Sequence, residues 1–92
     1  EHMQAYASLD IPGRIARQIL VISTTYGQPL DKGVYIPLRL TQNDIAELVG
    51  ASRKRVNQVI VALKKEGVIS IDPGWHITVH RREVLERMAI RA

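Results

Sequence analysis

The chain has 92 residues, 46% of them apolar, and a formal net charge of +4, which allows one domain with a thin core. It contains no cysteine, so disulfide scaffolds, thiolate metal sites and cysteine nucleophiles are excluded, and no apolar run approaches the roughly 20 residues of a membrane-spanning helix. Phe is absent and Trp occurs once, which argues against a stacking platform for single-stranded bases, while the basic balance raises nucleic acid as a partner.

Glu1-His2-Met3 reads as a tag remnant. Residues 1–8 are assigned as tag remnant or inter-domain linker, and residues 9–92 as the domain. No signal-peptide pattern opens the chain, so a cytoplasmic setting is expected. The first helix is predicted from Asp10, a good N-cap, with Pro12 in its first turn. Ile11, Ile15, Ile19 and Ile22 share one face, widened by Ala16 and Leu20. Thr24, Thr25 and Gly27 weaken the helix, and Pro29 ends it. Residues 28–33 read as a loop or turn. Val34 to Leu40 is rich in branched residues and reads as a strand, with Pro37 arguing for an edge position.

A second helix is predicted from Thr41, where Thr41-Gln42-Asn43-Asp44 resembles a capping box. Ile45, Leu48 and Val49 are its expected buried stripe, and Gly50 supplies a sharp turn. Ser52 caps a third helix running to about Glu66, with Gly67 as its C-terminal glycine. Val56, Val59, Ile60 and Leu63 follow helical spacing. Val68 to Ile71 and Trp75 to Val79 are predicted strands joined by Asp72-Pro73-Gly74. Trp75, Ile77 and Val79 are expected inward, with Trp75 a lid on the core, and His76, Thr78 and His80 on the wet face. Arg81 to Ala92 closes the chain as a helix, with Val84, Leu85 and Met88 inward. This order predicts an α+β winged helix-turn-helix, a small helical bundle with a short antiparallel sheet.

The third helix carries Arg53, Lys54, Arg55, Lys64 and Lys65 and no acid before its end. A helix N-terminus already bears roughly half a positive charge, so three exposed cations there cost about 0.3–1 kcal/mol each. A docked polyanion offsets that repulsion, because the free backbone donors at this end also favour phosphate. Turning about 100° per residue from the apolar stripe, Lys54, Gln58, Val61 and Lys65 point outward, flanked by Arg53 and Asn57 on one side and Arg55 on the other. Such a helix after a tight turn has the form of a major-groove reader. Lys or Arg pairs with guanine, and Gln with adenine. The bland alternative is a solvated basic face. His76 and His80 are spaced too far apart for one metal, and no third ligand is evident. Asp44 and Glu47 resemble capping and surface charge, and Ser52 lacks triad partners. Neither an enzyme nor a metal site is expected.

Leu9 to Ala16, Leu40 to Ala46 with Val49 to Arg53 and Val56, and Leu63 to Val79 together resemble the C-terminal DNA-binding domain of the Crp/Fnr transcription regulators. The resemblance implies a homodimeric regulator on a near-palindromic double-stranded operator, with RNA polymerase as a further partner. It places a cyclic nucleotide or other effector in an N-terminal domain outside this chain, so no cofactor is expected here. Ser52 and Arg53 match the family's recognition helix. Lys54 stands where much of the family has Glu, and Gln58 where it has a second Arg, so the usual half-site does not carry over. Arg53, Lys54 and Gln58 are therefore the expected base readers. Thr41, Gln42, Ser52, Arg55, Asn57 and His76 are the expected backbone contacts. The principal alternative is a winged-helix protein-interaction module, which would show apolar anchors on the outer face of residues 53–65. Only Val61 qualifies.

Overall fold

The computed structural model describes residues 10–90. The assignments for residues 1–9 and 91–92 lie outside that range. Four helices, α1 (Ile11–Tyr26), α2 (Gln42–Val49), α3 (Arg53–Lys65) and α4 (Arg82–Ala89), accompany four short strands, β1 (Gln28–Leu30), β2 (Gly33–Tyr35), β3 (Ile69–Ile71) and β4 (Ile77–Val79). The strands form one antiparallel sheet in the order β1-β2-β4-β3. This is the predicted winged helix-turn-helix, with β3 and β4 as the wing.

The core is built from branched aliphatic side chains, in keeping with the absence of Phe. Ile15 and Ile19 of α1, Val49 of α2, Val56 and Ile60 of α3, Ile77 and Val79 of β4, and Leu85 of α4 are all fully buried in one cluster. Each such side chain stabilises the fold by about 1.5–3 kcal/mol relative to exposure. All four helices and the sheet contribute to the same core, which fixes α3 against the rest of the domain.

Three sequence expectations need correction. Residues 28–33 are not a plain loop: Gln28 pairs with Tyr35 and Leu30 with Gly33, closing a hairpin around Asp31-Lys32. Pro29 fits there because β1 is an edge strand, where a missing donor costs no ladder bond. The strand predicted over Val34 to Leu40 contracts to β2, which is central, and Pro37 lies beyond it. The extended chain after β2 still bonds the wing, through Ile36 N–H to the Ile77 carbonyl at 2.8 Å and Leu40 N–H to the Trp75 carbonyl at 2.9 Å. Leu48 is 50% exposed rather than buried, because Ala46 with Ile45 and Val49 turns the buried face of α2 away from it.

Two further differences are local. Asp10 stands at the N-cap of α1 without a side-chain cap bond. Its carboxylate lies against Gly13 instead, where a Cβ would sit 2.8 Å from Oδ1 and 2.7 Å from the Met88 carbonyl. That contact seats the first turn of α1 on the end of α4. Trp75 falls outside β4 and is 37% exposed, so it is no core lid. No helix among the described residues is long and apolar enough to cross a membrane.

Candidate nucleic-acid interface

The α2–turn–α3 unit is fixed by its caps. Thr41 Oγ1 accepts the Asp44 N–H at 3.1 Å, and the Asp44 carboxylate accepts the Thr41 N–H at 2.9 Å, completing the predicted capping box. The Thr41 backbone and then side-chain hydrogen bonds, with Arg39 nearby, hold the Asp44 carboxyl below its ordinary value. Gly50 ends α2 in the left-handed region at φ 72°, and its N–H bonds the Ala46 carbonyl. A residue with a Cβ is strained there. Ser52 then caps α3, its Oγ accepting the Arg55 N–H at 3.2 Å.

Val56, Ile60 and Leu63 bury one stripe of α3. The opposite face is exposed from Arg53 to Lys65, including Lys54, Gln58 and Val61. The first turn holds no acid. Among the described residues, no carboxylate pairs with Arg53, Lys54 or Arg55; the carboxylates that meet a basic side chain are Glu83 with Arg81, Glu86 with Arg82, and Asp72 with the His76 ring. The charge is thus concentrated at the end where the helix dipole opposes it.

The structure brings most of the expected contact residues together. Gln42 Nε2 donates to Asn57 Oδ1 at 2.8 Å, tying the start of α2 to the second turn of α3. Ser52, Arg53, Lys54, Arg55, Asn57 and Gln58 share two turns of one helix. Arg55 and Gln58 also border a groove of about 330 Å³, floored by Val59, Leu63, Met88 and Pro12. Gln58 therefore leans toward the Arg55 side of the outer face. Lys64, which is not among the expected contact residues, lines a second cavity with the wing turn. Its spacing of seven from Asn57 and eleven from Arg53 is the signal that places the three on one flank.

His76 stands apart from this group. Its Nδ1 faces the Asp72 carboxylate at 3.0 Å, and its ring packs on Tyr35 with centroids 5.7 Å apart. The His76 N–H, then the His76 ring and the Gly74 N–H, hold the Asp72 carboxyl below its ordinary value. His80 instead meets Ser70 Oγ at 2.7 Å through Nε2. Among the described residues no group of three or more His, Asp or Glu is placed to hold a metal ion.

Comparisons with known proteins agree with this geometry. The family model described as "Crp-like helix-turn-helix domain" matches residues 13–88. An anaerobic regulatory protein of Bacillus subtilis is 36% identical over 79% of this chain and 31% of its own length. A CRP-like cAMP-activated global transcriptional regulator of Mycobacterium tuberculosis is 35% identical over 87% of this chain and 35% of its own. The chain thus spans about a third of the length of these curated relatives. CprK complexed with OCPA superposes with a TM-score of 0.81, covering 96% of this chain and 42% of that one, and at 22% identity it supports the fold alone. With the family match covering most of the chain and the basic α3 exposed, the chain belongs to the Crp-like helix-turn-helix domains of the Crp/Fnr family, a family of DNA-binding transcription regulators.

Proposed function

We propose that this domain binds double-stranded DNA in a sequence-specific manner, with α3 in the major groove. One observation carries the reading: three exposed cations sit at the N-terminus of α3 with no carboxylate among the described residues beside them, against the helix dipole. A phosphate backbone relieves that repulsion, and a water-exposed surface does so only by screening.

In this reading Arg53, Lys54 and Gln58 contact base edges. Arg53 and Lys54 favour guanine O6 and N7, and Gln58 favours adenine. Ser52 and Arg55 hold phosphates. Ser52 Oγ accepts its cap bond, which leaves its hydroxyl proton to donate. The Gln42–Asn57 bond occupies Asn57 Oδ1 and frees the Asn57 amide hydrogens for a phosphate oxygen. Thr41 is the weaker anion site, because the Asp44 carboxylate already occupies its N–H. His76 contributes through the wing, where its Nδ1 already faces the Asp72 carboxylate.

In the full-length regulator, two copies would bind a near-palindromic operator with half-sites roughly 34 Å apart. RNA polymerase is a further partner in this reading. An effector such as a cyclic nucleotide would act through a domain outside these residues.

The test is a titration against random-sequence duplexes at several salt concentrations, with selection of preferred sequences alongside. Steep salt dependence with enriched half-sites is expected. Absence of binding at low salt would overturn the DNA reading in favour of a protein-interaction module.

A further inference from the structure

Besides its buried stripe and its outer face, α3 carries a third line of residues. Arg55, Val59, Ala62 and, just past the last turn, Glu66 follow the spacing that keeps side chains on one side of a helix. Together with Pro12 of α1 and Met88 of α4 they border the groove of about 330 Å³, and Leu63, 4% exposed, lies at its floor. Val59, Pro12 and Met88 are half-buried. Three helices therefore meet along an apolar channel that stays open to solvent, and the thioether of Met88 gives it a wall that adapts to what lies against it.

The two ends of this groove differ in charge. Arg55 and Gln58 stand at one end, and Glu66 lies about 16 Å from Arg55 along the helix axis. Among the described residues, neither the Arg55 guanidinium nor the Gln58 amide makes a side-chain hydrogen bond or an ion pair. A guanidinium fork matches a carboxylate with two parallel bonds, and the Gln58 amide offers a further donor. The positive end of the α3 dipole favours the same charge, and Arg53 and Lys54 beside Arg55 disfavour a cation. Glu66 disfavours a second negative group at the far end. The complement of the groove is thus a molecule with one carboxylate and an uncharged apolar tail.

We propose that this groove binds an alkanoate, with the carboxylate on Arg55 and the tail along Val59, Ala62, Leu63 and Met88, and that its occupancy withholds Arg55 and Gln58 from DNA. The binding site stands on the groove alone, and the competition with DNA rests on the reading above. Such a molecule acts on the DNA-reading helix itself, with no other domain between.

The test begins without DNA. Butyrate, hexanoate and octanoate are titrated into the chain at constant pH and ionic strength while methyl and amide NMR shifts are followed. Saturable shifts are expected at Val59, Ala62, Leu63 and Met88. Affinity is expected to rise about twofold for each added methylene, half the worth of full burial, because the groove covers one side of the tail. Hexanol in place of hexanoate, and Arg55→Gln with hexanoate, are each expected to weaken binding about two- to fivefold, the worth of one exposed ion pair. Shifts that fail to saturate, that spread equally over Val21, Leu48 and Ile90, or that are unchanged by Arg55→Gln overturn the site. A labelled duplex is then titrated with and without octanoate at the concentration that saturates the shifts. Its apparent Kd is expected to rise with octanoate and to be unmoved by the same concentration of acetate. Saturated shifts with an unchanged duplex Kd overturn the competition and leave the DNA reading intact. Absence of duplex binding without octanoate overturns the DNA reading and the competition with it, while the DNA-free shifts still decide the site.

Discussion

Arg53 and Arg55 are two residues apart on α3 and carry the same charge, yet their surroundings predict different behaviour. Arg53 lies on the Asn57 flank of the outer face, and Arg55 borders the groove toward Pro12 and Met88. Replacing Arg53 with Ala is expected to cost about 1–3 kcal/mol of specific binding and to relax preference at one base pair, measured by competition among single-base operator variants. Replacing Arg55 with Ala is expected to weaken all duplexes alike and to lower the slope of log K against log salt by about one. Asp44 gives a residue-scale pH effect. Its carboxyl is held below its ordinary 3.8 by bonds to Thr41. A carboxyl with a depressed folded pKa contributes stability that is present above the unfolded value and lost as pH falls through the folded one. The contribution of Asp44 is therefore complete near neutrality and disappears below 3.8. Asp44→Asn should lose stability at pH 6 and show a shallower acid decline than the parent in urea denaturation. At this scale helical spacing showed which residues of α3 face outward, but not how each side chain leans. The basic residues of α3 were plain from composition, but the lean of Gln58 and the seat of Lys64 depend on packed neighbours.

Helix α3 was legible to within a residue at each end, because Ser52, the apolar spacing and Gly67 mark the same boundaries. The capping box and Gly50 were equally clear, since each is a local device with its own residue requirement. Gly50→Ala places a Cβ in open space, with only Arg14 Nη2 near at 3.8 Å, so its penalty is conformational. A loss of about 1–2 kcal/mol is expected, read as a lowered urea midpoint at unchanged slope. Gly13→Ala differs in kind, because its Cβ would meet the Met88 carbonyl at 2.7 Å. The sheet was harder to read. Strands of three residues show too little alternation to reveal a period, and whether a proline marks an edge depends on partners distant in sequence. Pro29 is the edge proline, and Pro37 only follows a central strand. Leu48 misled for a related reason: eight helical residues leave the buried face to be decided by Ala46, which carries little hydrophobic signal.

Across the described residues as a whole, four helices and one sheet share a single core, and α1 and α4 lie side by side along it. Leu85 is fully buried and is the only fully buried residue of α4. Leu85→Ala is expected to cost about 2–5 kcal/mol. In a domain this small the loss should lower global stability, measured by denaturant melting, and with it the fraction of protein competent to bind duplex. The architecture was legible because element order alone specifies it. What the sequence withheld is how the sheet ties the halves together. Strand β4 is paired on both sides, with Val79 facing Val34 of β2 and Ile69 of β3. An inserted residue within β4 would invert its facing side chains and break two registers at once. An insertion between Asp72 and His76 would lengthen the tip and leave both ladders intact. Of these two places, only the turn that carries Trp75 can change length without disturbing the sheet on either side of β4.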